Sequence, residues 1–163
     1  MITFSHLDKS QKDIWLPRLF DLLYDNMKSI VPSGLTYEEE KNEWLSNVSP
    51  AIDKAPRQII LCLDRDNFAG FMQYYIRSDL LMIEEIQFAK AHQRTTAFYR
   101  LCKFLRNYIP ESIKYIDAYA DKRNANSVLM MKKLGMVELK TDNHDSYLKF
   151  RGILEPIRKA LSK

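Results

Sequence analysis

The chain has 163 residues, 46% hydrophobic and 28% charged, a length that makes one domain able to bury a proper core. Lys and Arg number 25 against 21 Asp and Glu, and the resulting net charge of +4 suits an anionic ligand but falls short of a nucleic-acid-binding surface. No apolar run approaches the roughly 20 residues that span a bilayer, and the first seven residues lack the pattern of a secretion signal.

The expectation is therefore a single cytoplasmic domain over residues 1–163, with no membrane and no nucleic acid among its partners. Cys62 and Cys102 sit inside apolar runs like small core residues, as reduced cysteines do. His6, His92 and His144 are scattered without paired ligand spacing, so no metal site is expected.

Residues 2–4 open the chain as a short strand. Between 14 and 30 the apolar residues Leu16, Leu19, Phe20, Leu23 and Met27 recur at helical spacing; Pro17 predicts that the helix starts near Leu16 or kinks there. Thr36 and Glu39 form a capping box for a second helix running to about Val48, with Pro50 and Pro56 breaking the chain beyond it. The period then shortens to two. Residues 58–63 and 70–76 form a hairpin turning at Asp66 and Asn67, and 80–88 gives a third strand.

Residues 95–108 are helical, with Phe98, Leu101, Leu105 and Tyr108 on one face and Pro110 as the stop. A short strand follows at 115–119. Asn124 caps a helix with Val128, Met131 and Leu134 inward and Gly135 at its end. Strands at 137–140 and 146–150 flank a turn at Asp142, Asn143 and His144, and a weak helix at 151–161 closes the chain. The order predicts a mixed α/β layer fold.

Three segments carry a resemblance to the GNAT N-acetyltransferase superfamily, strongest between residues 58 and 150. The hairpin from Ile59 to Phe71 looks like the family's strand, acidic turn and Gly-aromatic start of the next strand. The run Gln93-Arg94-Thr95-Thr96-Ala97-Phe98 is similar to its phosphate loop, Gln/Arg-x-x-Gly-x-Gly/Ala, with Thr96 and Phe98 in the two small positions. Asn124 to Met136 resembles its Asn-x-x-Ala-x-x-Phe-Tyr-x-Lys-x-Gly-Phe helix, with Asn124, Ser127, Lys133, Gly135 and Met136 matching.

The resemblance implies a mostly antiparallel central sheet of about six to seven strands with helices on both faces. It implies acetyl-CoA as cofactor and direct transfer of acetyl to a primary amine, small-molecule or peptide, with the oligomeric state left open and a homodimer among the options. Coenzyme contacts fall on Phe88, Ala89, Gln93, Arg94, Thr95, Thr96, Ala97, Phe98 and Asn124, and Glu85 takes the place of the general base. Glu84 lies on the opposite face of a regular strand, so both can point inward only if the strand bulges.

Two departures count against catalysis. Thr96 and Phe98 reduce clearance for a pyrophosphate, partly offset by threonine hydroxyls and by Lys90, Arg94 and Arg100. Met131 stands where many family members carry a tyrosine that protonates the departing thiolate. They motivate an alternative, a non-catalytic GNAT-like binding domain. Among the tyrosines, Tyr74, Tyr75 and Tyr119 are either sheet packing or an acceptor pocket with a substitute acid.

Overall fold

The computed structural model describes residues 1–54, 57–140 and 146–160. Strand β1 (Ile2–His6) leads into helix α1 (Lys12–Met27) and helix α2 (Tyr37–Asp53). Strands β2 (Gln58–Asp64), β3 (Asn67–Arg77) and β4 (Leu80–Phe88) then run as a meander. Helix α3 (Ala97–Arg106), strand β5 (Tyr115–Asp121), helix α4 (Ala125–Lys133), strands β6 (Val137–Leu139) and β7 (Tyr147–Ile153) and helix α5 (Leu154–Ala160) complete the chain.

The seven strands form one sheet in the order β1-β2-β3-β4-β5-β7-β6. Every neighbouring pair is antiparallel except β4 with β5. A parallel pair cannot be closed by a hairpin, and the crossover between these two strands is α3.

Both faces are covered, so the central strands read as continuous apolar runs. On one face Ile60, Leu81 and Phe150 pack with Ala97, Leu101 and Leu105 of α3 and Met131 of α4. On the other, Ile59, Leu61 and Phe71 pack with Leu16 and Leu19 of α1 and Val48 and Ile52 of α2. Burying a Leu, Ile or Phe side chain here contributes roughly 1.5–3 kcal/mol.

Several local expectations hold. Thr36 accepts from the Glu39 amide at 3.3 Å and Glu39 accepts from the Thr36 amide at 2.8 Å, which is the capping box. Asn124 accepts from the Ser127 amide at 3.2 Å, and Gly135 follows α4 with φ +75°, a left-handed turn that glycine adopts without strain. Cys62 and Cys102 are free thiols, and burial pushes both up to about 12.

Others are corrected. Helix α1 starts at Lys12, ahead of Leu16, and α2 continues past Val48 to Asp53, with Pro17 and Pro50 inside them. Each proline removes one N–H from its helix, at a cost that packing against β2 and β3 overrides. The hairpin turns at Arg65 and Asp66, since Asp64 already pairs with Asn67. Strand β5 runs on to Asp121, Arg151 to Ile153 belong to β7, and Tyr108 lies outside α3 and is exposed. Pro56, Leu161 and the turn at Asp142, Asn143 and His144 lie outside the described residues.

Candidate active site

Strand β4 pairs with β5 only from Leu80 to Ile83. Beyond Ile83 the strands part, and the opening between them is a cleft of about 320 Å³. A bulge falls at this point of β4. Gln73 of β3 faces Glu85 and Tyr74 faces Ile83, which leaves Glu84 as one residue too many on β4.

The bulge settles which way the two carboxylates point. Both Glu84 and Glu85 line the cleft, with Ile83 before them and Gln87 after. Glu84 accepts from the Gln73 side chain at 2.9 Å and forms a two-pronged ion pair with Arg57, so its charge is matched. Glu85 accepts from Gln87 Nε2 at 2.8 Å and, among the described residues, has no cation against it. Burial, reinforced by the charge of Glu84, pushes Glu85 up to about 7, against the hydrogen bond from Gln87 that draws it down.

The segment ahead of α3 is a compact turn. Arg94 has φ +59°, while Thr96 is helical at φ −74°, ψ 0°. A glycine at 96 is therefore not required by backbone conformation; Thr96 costs only clearance. The Thr95 hydroxyl donates to the His92 carbonyl at 2.7 Å and accepts from the Ala97 amide at 3.2 Å, so it braces the turn. The first helical bond runs from the Arg100 amide to the Thr96 carbonyl, which leaves the N–H groups of Thr96, Phe98 and Tyr99 without an acceptor inside the helix. The Phe98 side chain is half-buried and packs against the core on the α3 side of the sheet.

Of the residues expected at a coenzyme site, Gln93 to Phe98 cluster at this helix start, and Asn124 lines the cleft as it caps α4. Lys90 and Arg94 are exposed beside the turn, whereas Arg100 reaches the Ile2 carbonyl at 2.8 Å and lies over the Phe4 ring. The Ala89 amide donates to the Ala69 carbonyl at 2.9 Å, and the Phe88 carbonyl accepts from Asn26 and Gln93.

Met131 is buried and lines the cleft together with Met130. Tyr119 lines it too, whereas Tyr74 is bonded to His6 at 2.8 Å and belongs to a packed aromatic group. Glu40 and Tyr147 also line the cleft and were not legible in the sequence. Neither lies in a motif; they arrive there because α2 covers one face of the sheet and β7 pairs with β5.

No family model matches the chain, and no curated protein sequence does. Solved structures match over nearly its whole length. The PaiA N-acetyltransferase from Thermoplasma acidophilum, solved in complex with coenzyme A, superposes with a TM-score of 0.71 at 13% identity, covering 94% of this chain and 99% of that one. An acetyltransferase from Thermus thermophilus gives a TM-score of 0.70 at 12% identity over 94% of this chain and 97% of that one. A mutant of the SpeG spermidine N-acetyltransferase from Vibrio cholerae gives 0.62 at 14% identity over 99% and 96%. The fold is that of the GNAT acetyltransferases.

Proposed function

We propose that this protein is an acetyl-CoA-dependent N-acetyltransferase that moves an acetyl group to a primary amine by direct transfer within one ternary complex. The observation that carries the reading is Glu85, a carboxyl without a cationic partner among the described residues, raised to about 7 in the cleft where β4 and β5 part. Acetyltransferases of the same fold, one of them solved with coenzyme A and another acting on spermidine, support the choice of donor and of acceptor class.

The residues present fit the coenzyme. The start of α3 offers N–H groups at the positive end of the helix dipole, Lys90 and Arg94 add charge beside it, and the Phe98 side chain packs against the core. When bound, acetyl-CoA supplies the acetyl group as a thioester, whose carbonyl carbon an amine can attack.

The rest falls to side chains of this chain. An amine in water is largely protonated and must lose a proton before its lone pair is free. Glu85, partly ionised at neutral pH, accepts that proton, and a base with a pKa near the working pH is suited to the task. Glu84 is the poorer base because Arg57 holds it as an ion pair. The cleft, bordered by β4, β5 and α4, gives the acceptor a place beside Glu85. With Met131 where a proton-donating tyrosine stands in the resemblance, the hydroxyls of Tyr119 and Tyr147 are the donors the cleft offers.

Calorimetric titration with acetyl-CoA tests this first: saturable binding is expected, and no detectable binding at millimolar coenzyme would sink it. A screen of primary amines for thiol release follows, with Glu85→Gln as control. An unchanged rate in that variant removes Glu85 from the role of base. Coenzyme binding with no thiol release from any amine would leave the domain as a binding module, the reading that Met131 favours.

A further inference from the structure

Glu85 is the last acceptor in a chain of side-chain amides. Gln93 Nε2 donates to Asn26 Oδ1 at 3.2 Å, Asn26 Nδ2 donates to Gln87 Oε1 at 2.8 Å, and Gln87 Nε2 donates to Glu85 Oε1 at 2.8 Å. The chain crosses three elements: the turn before α3, the last turn of α1, and β4. Two side bonds anchor it, since Gln93 and Asn26 both donate to the Phe88 carbonyl, at 2.9 Å and 3.0 Å.

With Glu85 ionised the direction of every link is fixed by chemistry, and the Phe88 carbonyl, which only accepts, fixes Asn26 and Gln93 independently. An ionised carboxylate only accepts, so Gln87 must present its NH₂ to Glu85 and its oxygen to Asn26. Asn26 must then present its NH₂ to Gln87 and its oxygen to Gln93. Flipping any one amide breaks bonds on both sides of it. Gln87 is buried at 8% exposure, so losing either partner leaves a polar group poorly satisfied.

We propose that Asn26 and Gln87 are positioning residues for Glu85, and that the amide chain ending on its carboxylate ties the base to the turn ahead of α3. The inference rests on Glu85 being the base of the transfer proposed above. Gln93, the far end of the chain, lies in the turn where the resemblance places a coenzyme phosphate, so a phosphate held there would meet the chain at its first donor. Other ionisable groups facing Glu85 across the cleft are Glu84 with its partner Arg57, Glu40 of α2, Asp121 and Tyr119 of β5, and Tyr147 of β7. None of them donates a hydrogen bond to Glu85 among the described residues; the Ile86 amide is its other donor, and the substitutions below leave that amide in place.

The test is a carbon-13 NMR titration of the glutamate side-chain carboxyls in the ligand-free protein, with Glu85 assigned by its loss in Glu85→Gln. Gln87→Met keeps the length of the side chain and deletes the donor; the Glu85 midpoint is expected to rise by about one pH unit. Asn26→Leu frees Gln87 to turn and is expected to move the midpoint the same way by about half as much. Midpoints unchanged in both variants overturn the proposal. If Gln87→Met fails to fold, Asn26→Leu decides alone, an unmoved midpoint again overturning it.

In turnover, the acid limb of kcat/KM is expected to move upward with the NMR midpoint, a change that a merely structural role does not produce. The titration needs neither coenzyme nor turnover. A protein that ignores acetyl-CoA but shows the shift defeats the transferase reading and keeps the amide chain. Acetyl transfer with an unmoved Glu85 defeats the chain alone.

Discussion

Replacing Glu85 by Gln should make this protein more stable as it removes the base, and the gain should depend on pH. Burial raises the carboxyl from its ordinary 4.5 to about 7, so the folded protein prefers the protonated form. Its contribution is fully present below pH 4.5 and is lost as pH rises through the window from 4.5 to about 7. At about 1.4 kcal/mol per pH unit, ionised Glu85 costs at most about 3 kcal/mol above that window. Because the side chain borders an open cleft, on the order of 1–3 kcal/mol is expected. Gln at this position keeps an oxygen for the Gln87 amide and carries no charge. Urea melts of both proteins at pH 4 and pH 8.5 measure the difference. Near-equal stability at pH 4 and a Glu85→Gln advantage at pH 8.5 are expected. A constant difference between the two pH values, or a less stable variant at pH 8.5, refutes the assignment of Glu85 as a desolvated carboxyl.

The remaining predictions concern the sheet and the turn. In Gly70→Ala the new methyl would meet the Gln87 carbonyl and lie 2.7 Å from the Phe88 ring; backbone must move, and a loss of about 1–3 kcal/mol in urea melts, with weaker acetyl-CoA binding, is expected. Arg151→Met strips its two hydrogen bonds from Asp117, a fully buried carboxylate, and leaves it Lys149 at 3.4 Å; a loss of about 2 kcal/mol is expected by the same measurement. Thr96 makes no capping bond and has helical backbone, so Thr96→Gly should change stability by less than about 0.5 kcal/mol. The same variant should tighten acetyl-CoA binding by roughly threefold to tenfold in calorimetry, because it restores clearance. Unaltered affinity would show that Thr96 does not limit the site.

The order of elements was legible in the sequence because local signals set it. The period-two runs of β2 to β4, the Thr36–Glu39 capping box, and Asn124 with Gly135 bracketing α4 each act within a few residues. The prolines misled for the complementary reason: Pro17 and Pro50 read as breakers locally, but the apolar faces of α1 and α2 are held by Ile59, Leu61 and Phe71. A helix with tertiary partners tolerates one missing bond.

The candidate site divides along the same line. The sequence alone determined the kind of fold, the helix start at Gln93 to Phe98 and the presence of two adjacent glutamates on β4. Only the tertiary structure decided what they do. The pairing of Gln73 with Glu85 and of Tyr74 with Ile83 makes the bulge that brings Glu84 beside Glu85, and Arg57 then neutralises Glu84, while no cation among the described residues faces Glu85. Thr95, a candidate phosphate donor by composition, braces its own turn. Glu40, Tyr147 and the amides of Asn26 and Gln87 enter the site from elements distant in the chain. Periodicity and capping are properties of neighbours in sequence, whereas desolvation, ion pairing and strand register depend on partners that only folding brings together.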